Sequence, residues 1–380
     1  MGGPPDPAAR LAQALAHHNA GDFDAAEADY RALLAADPDH LVALVNLAGV
    51  LRRRGEADEA RARLERAIGL APARPGLRRN LGNLLHEHGD LAGAATAYRE
   101  ELGLSPADTE ARMGLARVCL GLGEFAEGWR MLDARPARDN ARSRGLSRPE
   151  WRGEPLAGKR LLIWPEQGFG DQIQMMRFLP RLGCEIVMVC MPQLMRLLAS
   201  LPGDLVAHAA QLAEPAYDYW TLPQSLPLWL GVGAQDLATA PYLAGTATRR
   251  GGVGVVWRGN ALPDPGRSLP QALAAELLAM PGAVSLHPED SGAGDFQDTA
   301  DLIAGLDLVV TIDTSVAHLA GAMGKPVWVL HQKRPPEWRW RTDAAGTSVW
   351  YPSARVITQP TQGDWRAVVD QVRADWPRLA

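Results

Sequence analysis

The stretch DLVVTIDTSVAHLAGAMGKPVWVL, residues 307–330, decides the fold of the C-terminal half of this 380-residue chain. The apolar runs Leu308–Ile312 and Val327–Leu330 have the length and the β-branched composition of buried strands. Residues 314–323, between them, have a helical pattern. A strand, a helix and a second strand in this order predict two parallel strands joined by a right-handed crossover.

The same alternation of strands and helices continues upstream in two series. The predicted strands are 160–164, 184–190, 205–208, 217–220, 253–257 and 283–287, and the predicted helices are 172–182, 270–280 and 298–305. We therefore predict two doubly wound, Rossmann-like lobes, residues 160–248 and 249–380, with a cleft between them. Ligands bind such sheets at the carboxyl ends of the strands. The loops after Trp164, Trp257, His287 and Ile312 are therefore the candidate site.

The first third of the chain carries an internal repeat of 34 residues. Its phase is kept by Gly21, Gly55, Gly89 and Gly123, and by Pro38, Pro72 and Pro106. This period, with its small, aromatic and proline positions, is that of tetratricopeptide repeats. We predict an α-solenoid over residues 7–133, with three repeats and a partial fourth. Its concave surface is expected to hold a protein or peptide; the alternative is an arm that only dimerises or braces the second half.

Residues 134–159 join the two regions and are rich in arginine and proline. Arg135 and Arg138 are among these cations. The composition is typical of a linker whose charges form a solvated face, and an anion site is the alternative interpretation.

Composition limits the classes of partner. The net charge is −5, which gives no reason to expect nucleic acid or an anionic membrane as a partner. No apolar run is long enough for a membrane-spanning helix, and no secretory signal is visible, so a cytoplasmic location is expected. Cys184 and Cys190 lie in one apolar run and are expected to be buried thiols of a reducing compartment.

The loop after Ile312 opens a helix with Asp313, Thr314, Ser315 and, one turn later, His318. Free backbone N–H groups and the helix dipole make such a helix start an anion site, to which the two hydroxyls add donors. Asp313 would repel a phosphate, so it is expected to cap the helix or to accept hydrogen bonds from sugar hydroxyls. The alternative is an ordinary capped helix with a buried histidine.

The loop after Trp164 contains Gln167, Gly168 and Gly170, followed by Asp171. Two glycines permit a tight turn and a close approach of the backbone. Asp171 is then either a general base that faces the cleft or the cap of the next helix.

The loop after Trp257 supplies Arg258 and Asn260, and then Arg267 and Ser268. Arginines at the carboxyl end of a strand suit a diphosphate, because the guanidinium group forms bidentate hydrogen bonds; surface ion pairs are the alternative. The aromatic run over residues 338–351 either walls the cleft or packs the C-terminal helix, and its composition favours packing.

These segments resemble a known family. The stretches WPEQGFGDQIQMMRFLPRL, VGVVWRGN, GRSLP and DLVVTIDTSVAHLAGAMGKPVWVL are similar to those of bacterial tetratricopeptide-repeat glycosyltransferase-like proteins. The C-terminal half resembles the ADP-heptose transferases, which have the GT-B fold, and the overall layout resembles flagellin glycosyltransferases. The resemblance covers most of residues 10–380.

The resemblance implies roles for the matched positions. Gly170 and Asp171 match an acceptor-side motif whose aspartate is the proposed base. Asp313, Thr314, Ser315 and His318 match the donor-binding segment, and Arg267 lies near a cation that contacts the donor diphosphate. Relatives tend to have glutamine where His287 stands, and a longer basic and polar stretch where this chain has ALPDPGRSLP.

The sequence thus predicts transfer of a sugar from a nucleotide-sugar to an acceptor, with inversion and without a metal or a cofactor. The acceptor is expected to be a protein held by the repeats, such as a flagellin-like protein. The rival prediction is a non-catalytic adaptor with a degenerate transferase lobe. The sequence does not identify the nucleotide, the sugar or the acceptor.

Overall fold

The computed structural model describes residues 6–136, 138–139, 146, 148–207, 216–239, 241–247, 251–260, 264–333 and 337–376. The contacts within the chain divide it into two compact units, Met1–Glu124 and Phe125–Ala380. No helix in the described ranges is both long and apolar enough to cross a lipid bilayer.

The first unit is a series of helices, as the repeat predicts. They are α1 (Pro7–Ala20), α2 (Phe23–Ala36), α3 (Leu41–Arg54), α4 (Ala57–Leu70), α5 (Leu77–Glu87), α6 (Leu91–Leu104) and α7 (Thr109–Leu122). Each helix packs against the next. Gly55 ends α3 with φ +78, a left-handed conformation that glycine adopts without strain.

The repeat's aromatic position fills the space between helices. Tyr98 of α6 is fully buried, and its ring lies against two glycines of neighbouring helices. A Cβ would lie 2.7 Å from this ring at Gly82 in α5 and 2.4 Å from it at Gly114 in α7. Glycine is therefore required at both positions because the Tyr98 ring occupies the place that a side chain would take.

The repeats are predicted to end at residue 133, but the second unit already begins at Phe125, one helix earlier. Helix α8 (Phe125–Leu132) falls within this unit. Its Trp129 packs edge-on against Trp338 and Trp350, at centroid distances of 5.5 and 6.2 Å.

The second unit contains two parallel sheets. The first has the order β3-β2-β1-β4, with β1 (Arg160–Ile163), β2 (Glu185–Val189), β3 (Asp204–Val206) and β4 (Tyr219–Thr221). The second has the order β6-β5-β7-β8-β9, with β5 (Val253–Val256), β6 (Ala283–Ser285), β7 (Leu308–Ile312), β8 (Val327–His331) and β9 (Ala354–Thr358). Apart from β9, each strand lies where the sequence predicts one.

The helices of this unit connect and cover the strands. They are α9 (Phe169–Met175), α10 (Met195–Leu198), α11 (Leu226–Trp229), α12 (Gln271–Leu278), α13 (Pro288–Ser291), α14 (Phe296–Ala304), α15 (Ser315–Ala322) and α16 (Trp365–Asp375). The helix predicted over 172–182 is instead α9 followed by a 3-10 helix, Met176–Arg181, which contains Pro180. Proline disrupts the α-helical hydrogen bonding there.

Contacts between the two sheets' segments include a buried arginine. Arg177 donates from Nε to the carbonyl of Gln174 at 2.9 Å and from Nη1 to the carbonyl of Trp350 at 2.9 Å. Its guanidinium carbon lies 4.6 Å from the centroid of the Tyr351 ring. Arg177 therefore joins the segment after β1 to the segment before β9.

The prediction that the charges of residues 134–159 form a solvated face is wrong for two of them. The Arg135 side chain is 1% exposed and pairs with Glu166, and Arg138 pairs with Asp133 and Glu150. The backbone N–H of Trp151 donates to the carbonyl of Trp220 in β4 at 2.8 Å. This part of the segment thus packs on the first sheet because its cations have buried acidic partners; Arg142 and Arg144 lie outside the described residues.

The cysteines of the apolar run differ in burial. Cys190 is buried, as predicted, whereas Cys184 is only half-buried. Burial raises the pKa of the Cys190 thiol to about 11. This thiol is therefore protonated and poorly nucleophilic at neutral pH.

Candidate functional site

Two predicted motifs meet where α9 and α15 begin. Helix α9 follows β1 of the first sheet, α15 follows β7 of the second, and the two helices pack together. The contact is closest at Gly170, where a Cβ would lie 2.6 Å from His318 Cδ2 and 3.4 Å from Ser315 Cα. Glycine is required here because any side chain would enter the opposite helix.

Asp171 lies in the first turn of α9 and is not its cap, because the N-cap position is Gly168. Its Oδ1 accepts hydrogen bonds from Arg339 Nε at 2.6 Å and from Gln224 Nε2 at 3.0 Å. Arg339 belongs to the second sheet's segment after β8, so this ion pair spans the two predicted lobes. The candidate base is therefore held by one charged and one neutral donor.

Arg339 lies between two carboxylates. Its Nη1 pairs with Glu337, and its guanidinium carbon lies 4.4 Å from the centroid of the Trp338 ring. Burial by itself lowers the pKa of Arg339, but the charges of Asp171 and Glu337 outweigh burial and raise it. The site therefore contains a fixed positive charge beside Asp171.

His318 is buried beneath this contact. It is 4% exposed, its Nδ1 is 3.1 Å from the Tyr351 hydroxyl, and its ring lies 4.6 Å from that of Trp340. Burial lowers the pKa of His318 to about 4. The imidazole is therefore neutral at physiological pH and forms part of the floor under Gly170.

The start of α15 carries the remaining residues of the second motif. The N-cap is Thr314, whose Oγ1 is 3.1 Å from Thr311 Oγ1, and Thr314 and Ser315 are both half-buried. Asp313 does not cap the helix, contrary to one of its two predicted roles. It accepts a hydrogen bond from Trp340 Nε1 at 2.7 Å, because the aromatic segment after β8 folds over this loop.

The predicted arginine loop forms a second group of contacts at the carboxyl ends of β5 and β6. Arg258 pairs with Glu289 and lies 3.3 Å from His287 Nδ1. Ser268 Oγ accepts the backbone N–H of Gly259 at 3.2 Å, and Arg267 Nη2 donates to the carbonyl of Asn260 at 2.8 Å. These contacts join Arg258, Asn260, Arg267, Ser268 and His287 into one region.

The two arginines of this loop differ in what they offer a ligand. Arg258 pairs with the Glu289 carboxylate, and this is the surface ion pair that the sequence predicts as its alternative role. Arg267 Nε is buried and has no hydrogen-bond partner among the described residues. Arg267 therefore keeps one unsatisfied donor, although this atom is buried, and has no acidic partner among the ion pairs described.

Sequence reasoning missed Arg339 and Gln224, which contact Asp171 directly. Arg339 lies within the aromatic run over 338–351, which was expected mainly to pack. Trp338 and Trp350 do pack in the core, while Trp340 and Tyr351 form the wall behind His318. The position of Arg339 between Trp338 and Trp340 is the sequence feature that could have indicated its role at the site.

Comparison with known proteins agrees with this architecture. The tetratricopeptide repeat family matches residues 17–84 and 85–147. The family described as glycosyltransferase family 9 (heptosyltransferase) matches residues 286–357, which include β7, α15 and the segment of Arg339. The chain thus contains tetratricopeptide repeats, and its α/β unit contains a segment similar to glycosyltransferase family 9.

Among curated proteins, the chain is similar to Protein FlbA of Caulobacter vibrioides, with 26% identity over 324 residues. The match covers 68% of this chain and 53% of FlbA, so the chain spans about half the length of that relative.

Two solved structures are similar to about a third of this chain. A crystal structure of MamA protein matches with 20% identity and a TM-score of 0.34, covering 36% of this chain and 75% of that chain. A tetratricopeptide repeat protein from Parabacteroides merdae matches with 20% identity and a TM-score of 0.33, covering 35% and 54%.

Proposed function

We propose that this protein is a GT-B glycosyltransferase that moves a sugar from a nucleotide-sugar to an acceptor hydroxyl. The observation that carries the proposal is the meeting of Asp171, from the first sheet, with the 313–318 segment, from the second. A carboxylate and a helix start face each other at strand ends, and the family 9 match covers the second of them.

The donor diphosphate binds at the start of α15 in this proposal. Thr314 and Ser315 supply hydroxyl donors, and the helix start supplies free N–H groups with the positive end of its dipole. Arg267 is the better cation of the two predicted, because Arg258 is paired with Glu289. Arg339 adds positive charge close to the base.

The proposed reaction is a single displacement. Asp171 takes the proton of the acceptor hydroxyl, whose oxygen forms a bond to the anomeric carbon. The bond from that carbon to the diphosphate breaks, and the nucleoside diphosphate leaves with the electron pair. The configuration inverts, and arginine and helix-start charges stabilise the leaving group without a metal.

Asp171 has to exchange partners before it can act in this way. Its Oδ1 is engaged by Arg339 and Gln224, and α9 packs directly on α15. A bound donor phosphate would compete for Arg339 and so release the carboxylate. The donor would then bind first, and Asp171 would be free to remove the acceptor proton only afterwards.

The acceptor in this proposal is a cytoplasmic protein held by the repeats, such as a flagellin-like protein. Tetratricopeptide arrays offer an extended surface that grips peptides. Tethering raises the effective concentration of the acceptor hydroxyl without changing the chemistry.

A non-catalytic adaptor is the second candidate, and one observation favours it. The same ion pair that positions Asp171 also occupies it, and Gly170 lies against His318 without a gap. A transferase lobe that had lost its reaction could keep such a contact as a purely structural joint.

Calorimetric titration of the full chain with ADP, UDP, GDP and dTDP tests the proposal, followed by incubation with the matching nucleotide-sugars. We expect one nucleotide to bind and its sugar donor to release nucleoside diphosphate. Binding of a nucleotide without any turnover by the wild-type chain would favour the adaptor, and the absence of all binding would reject the α15 start as a nucleotide site.

A further inference from the structure

A buried chain of hydrogen bonds runs from the segment after α8 to Asp171. It begins at Arg135, which donates from Nε to Glu166 Oε2 at 2.6 Å and from Nη2 to Glu166 Oε1. The Glu166 side chain is 3% exposed. Arg135 Nη2 also donates to Ser225 Oγ at 3.1 Å, and that hydroxyl donates to Asp133 Oδ1 at 2.8 Å.

The next step passes through Gln224. Glu166 Oε1 accepts the backbone N–H of Gln224 at 2.8 Å. Gln224 is 1% exposed, and its side-chain Nε2 donates to Asp171 Oδ1 at 3.0 Å. The backbone of Gln224 is thus fixed by one carboxylate while its side chain holds another.

Burying the charged Arg135–Glu166 pair costs desolvation free energy, so packing alone does not explain why these residues are present. An ion pair such as Arg135–Glu166 loses most of its gain to desolvation, and apolar residues of similar volume often serve stability equally well. What the pair provides is orientation, because two parallel N–H···O bonds fix Glu166 and with it the Gln224 backbone. Glu166 also lies in the loop that leads into α9. The Arg135–Glu166 pair therefore fixes two segments next to Asp171, the loop before α9 and the backbone at Gln224.

We propose that Gln224 is a positioning residue that orients the Asp171 carboxylate, and that Glu166 and Arg135 hold Gln224 in place. The catalytic part of this inference rests on the proposed function, in which Asp171 is the base. The Gln224 amide holds Oδ1 independently of Arg339, so the carboxylate keeps one defined orientation toward the acceptor when the donor phosphate competes for Arg339.

Two near-isosteric substitutions separate positioning from packing. Gln224→Met keeps the volume and removes the donor, and Gln224→Glu keeps the shape and places a second carboxylate beside Asp171. Gln193→Met, at an exposed position of the same lobe, is the matched control. We expect both Gln224 variants, and not the control, to slow donor turnover by roughly 10²-fold, the effect of a misplaced reacting group.

A double-mutant cycle tests the contact without any substrate. The thermal midpoint of the full chain is measured for Gln224→Met, for Asp171→Ala and for the double variant. If Gln224 acts through Asp171, Gln224→Met should lower the thermal midpoint less than half as much in the Asp171→Ala variant as in the wild-type chain. Equal losses in the two backgrounds would overturn the proposal, whatever the turnover.

The two measurements also distinguish this inference from the proposed function. Coupling in the melts together with slow turnover of the Gln224 variants supports both. Coupling together with a wild-type chain that turns over no donor rejects the proposed function but supports Gln224 as the residue that holds Asp171. Wild-type turnover by Gln224→Met would show that the orientation has no part in the reaction and would overturn the catalytic part of the inference.

Discussion

Gly170 and His318 come from opposite sheets, and the space for a Cβ on the glycine is already taken by the imidazole ring, 2.6 Å away. His318 is itself fixed, because Tyr351 binds its Nδ1 and Trp340 lies against its face. The ring therefore has little freedom to give way. This contact sets how closely α9 approaches α15.

Gly170→Ala should therefore destabilise the second unit, by about 1–3 kcal/mol as for other overpacked sites. Gly168→Ala is the matched control, because Gly168 has φ −80 and a Cβ added to it would meet nothing within 4 Å. Denaturant unfolding of the two variants measures the difference. Equal stability of both variants would show that the helices can separate without cost.

The stability of the fold should depend on the protonation of His318. Its pKa falls from 6.5 unfolded to about 4 folded, so the unfolded chain binds the extra proton first and stability is lost as pH falls from 6.5 to 4. The loss attributable to His318 is about 2 kcal/mol between pH 7.5 and 5. Denaturant unfolding of the wild-type chain and of His318→Gln at both pH values isolates it, since other groups titrate in both. A pH dependence identical in the two chains would contradict the assignment.

Asp171→Asn should not weaken nucleotide binding, since it leaves Arg339 free for the donor phosphate, and it should slow sugar transfer by roughly 10²–10⁴-fold, the range for loss of a general base. The amide keeps an oxygen for Gln224 but cannot take a proton. Steady-state rates with the donor identified by calorimetry provide the measurement. A folded variant with wild-type turnover would mean that Asp171 only joins the lobes through Arg339.

Replacing Thr314 and Ser315 together with alanine should weaken nucleotide binding by about 1–3 kcal/mol for each charge-assisted hydrogen bond lost. Thr96→Ala, on an exposed face of α6, is the control for loss of a hydroxyl. Calorimetry with the same nucleotide gives both affinities. An unchanged affinity of the double variant would remove the α15 start from the donor site.

Removal of residues 1–124 should abolish modification of a protein acceptor while nucleotide binding persists, because the repeats are proposed to recruit the acceptor. A thermal melt first establishes that the shortened chain is folded. Modification is then followed by the mass of the acceptor. Modification at the full-length rate would point to a small-molecule or saccharide acceptor, and loss of every activity would indicate a bracing role.

Much of the fold could be predicted because its signals are local. The apolar run Leu308–Ile312 is a strand with the predicted bounds, and the 34-residue period gives the helices of the first unit. Strand β9, Ala354–Thr358, was missed because its polar and apolar residues give only a short, mixed pattern.

The candidate site was predictable only in part, because its decisive contacts are distant in sequence. The motifs around Asp171 and Ser315 have composition that marks strand-end loops. Arg339 is 168 residues from Asp171, and no spacing rule connects them. Arg135 was assigned to a solvated face for the same reason, since its partner Glu166 lies in another segment 31 residues away.

The position of Arg177 between the two sheets determines whether the α/β unit can be split into two separate polypeptides. The carbonyls of Gln174 and Leu237 bind its guanidinium from the first half and the carbonyl of Trp350 binds it from the second, so only the whole unit supplies all three acceptors. A chain cut between the two sheets would leave this charge in one fragment and the Trp350 carbonyl and Tyr351 ring in the other. Gene fusions or split reporters built on this protein should therefore keep both sheets in a single polypeptide, and recombination between relatives should exchange them together.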